Sequence, residues 1–311
     1  MLNYIIRRVA YMIPILFGIT LFTFLLFNVV GGDPVLLMVG KHATPQTILE
    51  LRHELGFDKP LYRQYFDFVG QILHFDFGRS YSTKQDVFQM IKAAAPVSFI
   101  VAFPAFLISV FMAIALALLV AFWRGRWLDR TIVVASVFLI SAPSLAYILF
   151  GQYYLAYKWE LFPISGFTME FPAMLAYVGL PTIIWLALTL GNELRFYRTV
   201  MLDEINQDYI RTARAKGLSE TKVMFKHVLK NAMIPIITNV VIEIPFLIVG
   251  ALILESFFAI PGMGSQLIDA LNNADFPVIK ANVVMFSLLY MVFNLLTDIL
   301  YSVVDPRVSL K

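Results

Sequence analysis

Six apolar blocks dominate the sequence, at roughly 9–30, 97–122, 131–157, 173–194, 233–256 and 281–304. Each reaches the roughly 20 helical residues that cross about 30 Å of hydrocarbon. Composition points the same way: 59% of residues are hydrophobic and only 14% charged, with a mean hydropathy of +0.77. Soluble globular domains do not look like this. Cysteine is absent, which excludes disulfides, thiolate metal sites and a cysteine nucleophile. His42, His53, His74 and His227 are scattered, with no metal-ligand spacing. The expectation is an all-α integral membrane protein with six transmembrane helices.

The first block follows Arg7 and Arg8. It is too long for a signal-peptide core and no small-x-small site follows it, so residues 1–30 read as a retained first helix. Residues 31–95 then turn polar, with charges of both signs. Thr44-Pro45 should open one short helix through Leu55, and Pro60 another through Leu73. This stretch reads as a small folded subdomain outside the membrane. Residues 96–311 hold the other five spans, with a long polar stretch at 195–232 between the fourth and fifth. Basic residues cluster at Arg7/Arg8, Arg124/Arg126/Arg130, Arg195 to Lys230 and Arg307/Lys311, which all fall on one side of six spans. The positive-inside rule places that side, and both termini, in the cytoplasm. The 31–95 subdomain then faces out.

The 195–232 stretch carries the most information. It reads as two short helices joined at Gly217, which can adopt the left-handed conformation that ends the first. Ser219 can cap the second, with Glu220 in its first turn. Val223, Met224, His227 and Val228 share one face, while Lys222, Lys226 and Lys230 share another. Such a basic amphipathic pair either lies on anionic headgroups or docks into a groove of a soluble partner.

The residues Arg211-Thr212-Ala213-Arg214-Ala215-Lys216-Gly217-Leu218 resemble the cytoplasmic loop of ABC-importer permeases, in the form typical of the peptide/nickel family. Further segments run in the same order: Gly31-Gly32-Asp33-Pro34, Leu51 to Tyr65, and Asp76-Phe77-Gly78-Arg79-Ser80. Next come Gly125-Arg126-Trp127-Leu128-Asp129, Glu255 with Pro261-Gly262-Met263-Gly264, and Asp298 to Arg307. The chain is most similar to the first, B-type permease of dipeptide and oligopeptide importers. Against the broader importer pattern it departs at Arg211, Thr212, His227 and Lys230. The resemblance implies a bacterial inner-membrane subunit that pairs with a second homologous permease and receives peptides from an extracytoplasmic binding protein. Two ATPase subunits would grip residues 211–230, with Gly217 setting the bend and Met224, Phe225 and Val228 as apolar anchors. ATP and Mg would be bound by those subunits. This sequence has no Gly-x-x-x-x-Gly-Lys-Ser/Thr loop, so no catalytic residue and no cofactor is expected here, nor any nucleic-acid partner. Membrane lipids surround it. Nickel chelates, glutathione or another small solute are alternative cargoes.

Polar groups inside the spans are the remaining candidates. A charge such as Glu243 at mid-depth costs about 2.5–3.5 kcal/mol on insertion scales. Glu243, Asn239 and Pro245 could line a translocation path, or Glu243 could be hydrogen-bonded to a neighbouring helix; Tyr147 is a further path candidate. Glu255, Pro261, Gly262, Gly264 and Asp298 are expected in gating or structural roles. Pro143 should kink the third span and Pro104 the second, while Ala113 and Ala117 form a small-residue packing stripe. A secondary transporter would show internal repeats, and an intramembrane enzyme would show paired catalytic groups. The sequence shows neither.

Overall fold

A computed structural model describes residues 2–30, 34–39, 44–249 and 252–304. All regular elements among these residues are helical. The first helix, α1, spans Leu2–Leu25 and runs on as a π-helical turn, Leu26–Val30. Three short helices follow: α2 (Pro34–Val39), α3 (Pro45–Glu54) and α4 (Leu61–Leu73). Thr44 caps α3 by accepting the Thr47 N–H at 3.3 Å, and Pro60 precedes α4. Both starts fall where the Pro-containing signals put them.

The next helix, α5 (Val87–Phe122), has 36 residues and continues through Pro96 and Pro104 without a break. At about 1.5 Å per residue it measures roughly 54 Å, far more than a bilayer core, so one end projects beyond the membrane. The third apolar block is divided into α6 (Trp127–Ser141) and α7 (Ser144–Phe150), and α7 runs on as π-helical Gly151–Lys158. The two halves meet at 95° across Ala142-Pro143. The cause is local: Pro143 has no N–H for the Leu139 carbonyl, four residues back. The Tyr147 hydroxyl donates to that carbonyl instead, at 2.9 Å, so the Leu139 carbonyl is not left without a donor.

The remaining helices are α8 (Ala173–Ile205), α9 (Asp208–Ala215), α10 (Glu220–Val223) and α11 (Lys230–Val249). Then come α12 (Leu252–Phe257), α13 (Met263–Asn272) and α14 (Phe276–Val304). Among the described residues five helices are long and apolar enough to span a membrane, and the bent α6–α7 pair makes six if it is one span. Two boundaries differ from the sequence reading. The polar residues 195–205 belong to α8, which extends past its apolar part, so the loop is shorter than 195–232. The second loop helix is not short either: α10 passes through a π-helical stretch, Met224–Leu229, directly into α11.

Packing follows the small residues. Ala113 and Ala117, both fully buried, let α5 lie close against Leu190, Leu194 and Tyr197 of α8. Between α6 and α8 the close approach is at Gly191, where a Cβ would stand 2.8 Å from the Ser136 carbonyl oxygen. An ion pair joins these helices at one end: Arg198 Nε and Nη2 donate to Asp129 at 3.0 and 3.1 Å, and Asp129 also accepts the Gly125 N–H. A second apolar cluster, with Phe24, Tyr65, Phe68, Val87, Met263 and Phe276, binds α4 to α1, α5, α13 and α14.

Candidate coupling surface

The α9–α10 turn is built as a Schellman motif. The Gly217 N–H donates to Arg214 O at 2.9 Å and the Leu218 N–H to Ala213 O at 3.3 Å. Gly217 sits at φ +76°, where a Cβ is disfavoured. Arg214 grips Glu220 across the turn with bonds of 3.1 and 2.6 Å. The Glu220 carboxylate in turn raises the Arg214 pKa. Ser219 has the extended backbone of a cap, yet its side chain makes no capping bond. Within α9, Thr212 Oγ1 donates to Asp208 O and Arg211 pairs with Asp208 at 3.3 Å.

Burial divides the expected coupling residues into two groups. Ala213, Met224 and Val228 are buried in the chain's own core, together with Ile210, Val223, Met201 and Ala232. Met224 and Val228 therefore do not serve as anchors for a partner: they fasten the turn to α5 and α8. This corrects the sequence reading, which found the apolar face but not what covers it. Arg211, Thr212, Arg214, Ala215, Lys216 and Gly217 are exposed, and Leu218 is half-buried. Phe225 is 59% exposed and is the apolar residue left on the outside, between Lys222 and Lys226. Tyr209 donates to Glu204, and its hydroxyl pKa is pushed up to about 12, first by burial and then by that bond.

At the far end of the molecule a second site explains the Glu255 and Pro261–Gly264 segments. Glu255 is fully buried and its Oε2 accepts the Gly264 and Ser265 N–H groups at 2.8 and 3.3 Å, capping α13. Ser98 Oγ takes the Met263 N–H at 2.8 Å. A Cβ on Gly262 would lie 2.3 Å from Glu255 Oε2 and 2.5 Å from Ser98 Oγ, and one on Gly264 would lie 2.8 Å from the carboxylate. Pro261 precedes this cap. Close by, the Ser80–Ser82 turn closes around Asp275, with Ser80 Oγ and the Tyr81 and Ser82 N–H groups all donating to its carboxylate. Asp298 on α14 pairs with Arg8 of α1 at 2.9 Å. All of these tie helices together.

The polar groups at membrane depth are only partly those expected. Asn239 Nδ2 donates to Glu243 Oε1 at 2.8 Å along α11, and both are half-buried. Behind them lies Glu193 of α8, which is 5% exposed, with Oε2 accepting from Ser109 Oγ; Thr189 bonds the same hydroxyl. The sequence reading missed Glu193 because it ends an otherwise apolar block. Tyr147 is not brought to this group, since its hydroxyl is committed to the α6–α7 bend. Pro245 lies in α11, and its side chain is outside the described residues.

Residues 113–310 match the model of the binding-protein-dependent transport system inner membrane component. Residues 1–102 match the N-terminal model for the membrane component of such systems. The chain belongs to this family of permeases. It is 35% identical over 319 aligned positions, covering all of both chains, to the glutathione transport system permease protein GsiC of Shigella flexneri serotype 5b (strain 8401). It is equally similar, at 35% over 98% of each chain, to a putative peptide transport system permease protein of Brucella abortus (strain 2308). GsiC of Escherichia coli (strain K12) is 34% identical over the full length of both. The permease is thus a membrane subunit of an ABC importer of the peptide/nickel type.

Proposed function

We propose that this permease forms half of a translocation pathway for short peptides, and that α9 and the outer face of α10 are where an ATPase subunit drives it. One observation carries the coupling assignment. The turn spends its apolar residues on the chain's own core and presents a rigid, basic tip with Phe225 exposed. A helix pair lying on headgroups would keep its apolar face free for lipid. Here that face is covered from within. A push on α9 therefore reaches α5, α8 and α11 through Ile210, Met224 and Val228.

Orientation supports the same reading, since the Lys and Arg clusters put this tip and both termini in the cytoplasm. The α2–α4 subdomain then faces the compartment from which a binding protein would deliver cargo, and a second permease would complete the pathway. Two kinds of relative are named for peptide and for glutathione transport, and a short peptide is the class common to both. Asn239 and Glu243 are the pathway residues we retain. ATP and Mg belong to the ATPase partners. The test is uptake into proteoliposomes holding both permeases and the ATPases, with binding protein outside and ATP within. Uptake of labelled peptide that needs both ATP and binding protein supports the reading. Uptake by the permease without any ATPase overturns it.

A further inference from the structure

A cavity of about 730 Å³ lies among α1, α4, the 77–84 segment and the first turns of α14, well away from the coupling surface. Lys280 reaches into it from α14. Its ammonium donates to Asn28 Oδ1 at 2.6 Å and stands over the rings of Phe68 and Phe24, 5.5 and 6.0 Å from their centroids. The Asn28 amide passes on to Gln64 Oε1, and Gln64 donates to the Lys59 carbonyl. This polar chain is neutral throughout. Among the described residues no carboxylate pairs with Lys280. Lys59 is taken by Asp67 at 2.8 Å, and His53 by Asp58. Arg79 and Lys84 also line the cavity and make no ion pair among the described residues, which leaves Glu54 as the acid against three cations.

An ammonium held among aromatic rings and one neutral amide has lost much of its hydration without gaining an anion. If its task were only to fill space between α1, α4 and α14, an apolar side chain of the same length would serve at lower cost. Lysine carries three N–H donors, and one is used. The volume falls within the roughly 300–1,000 Å³ of small-molecule sites. We propose that this cavity is an oxyanion site, with Lys280 as its central cation, that receives a carboxylate or a phosphate ester. The cations around the rim draw the anion in, and the apolar wall of Phe24 and Phe68 strengthens its pairing with Lys280. The same chemistry is offered by a soluble carboxylated solute and by a phospholipid headgroup.

The test is equilibrium dialysis of the assembled transporter in dodecyl maltoside, with radiolabelled inorganic phosphate, N-acetylglycine and glycinamide as probes. Saturable binding of the two anions but not of glycinamide is expected. It should weaken at least about tenfold in Lys280→Met, the loss of a charge-assisted bond, and persist in Lys280→Arg. Should Lys280→Met fail to fold, the exposed Arg79→Ala reports the same electrostatics with a several-fold weakening. Reconstitution into phosphatidylglycerol nanodiscs separates the sources: phosphate binding abolished there assigns the site to a lipid headgroup, and phosphate binding retained assigns it to a soluble anion. Absence of saturable anion binding in detergent, or equal binding by wild type and both variants, overturns the proposal. The readout is binding, so it stands or falls separately from transport and from the coupling assignment.

Discussion

Gly262→Ala tests how far the α13 cap depends on the absence of one side chain. The backbone at Gly262 is extended, with φ −94°, so alanine meets no conformational penalty there. The cost is purely one of space. The new methyl would fall on Glu255 Oε2 and Ser98 Oγ. Both atoms end flexible side chains, but each holds a backbone N–H of the α13 start. Moving them aside gives up one hydrogen bond to a carboxylate, about 1.5–3 kcal/mol, and one neutral bond of about 1 kcal/mol. Overpacking strain adds about 1–3 kcal/mol. A total of roughly 3.5–7 kcal/mol is expected, against about 1 kcal/mol for Gly217→Ala, which strains φ but meets nothing within 4 Å. Thermal unfolding of the purified transporter, followed by light scattering, ranks the two. A Gly262→Ala protein as stable as Gly217→Ala would show that Glu255 does not hold α13 as described.

Four further outcomes follow from the same structure. Met224→Ala and Val228→Ala should each lower stability, the first by about 2–5 kcal/mol for a cavity in the core, while Phe225→Ala should leave unfolding unchanged and reduce ATPase recovery in a pull-down. Arg198→Ala strands the buried Asp129 carboxylate and should cost about 3–5 kcal/mol; unchanged unfolding would refute a structural ion pair. Tyr147→Phe should cost about 1–3 kcal/mol by orphaning the Leu139 carbonyl, read by unfolding, with the bend itself kept by Pro143. Asp275→Ala should loosen the Ser80–Ser82 turn, seen as faster amide exchange there than in α9.

What could be read from the sequence was set by local signals. Pro45 and Pro60 open α3 and α4, Pro143 breaks the third span, and Gly217 ends α9, each by a local constraint on the backbone, whereas Pro104, expected to kink the second span, lies inside the unbroken α5. The Ala113/Ala117 stripe was legible for a similar reason, as small residues one turn apart need a close neighbour. What stayed hidden depends on residues far apart in sequence. Glu193 acquires its meaning from Ser109, eighty-four positions away, and Asp275 from the Ser80 turn. The apolar face of Met224 and Val228 was visible, but amphipathicity does not say whether the cover is a partner or the chain's own core. The polar run after residue 194 suggested a loop, whereas α8 simply continues to Ile205.

The central claim is that an ATPase grips the exposed tip of α9–α10. The chain has no cysteine, so single cysteines placed at Lys216, at Phe225 and, as a control, at exposed Tyr62 of the α2–α4 subdomain give the direct measurement. Crosslinking in inverted membrane vesicles, with the adducts identified by mass spectrometry, should join Lys216→Cys and Phe225→Cys to an ATPase subunit and leave Tyr62→Cys without one. An ATPase adduct at Tyr62, or none at either tip position while the assembly transports, would contradict the account.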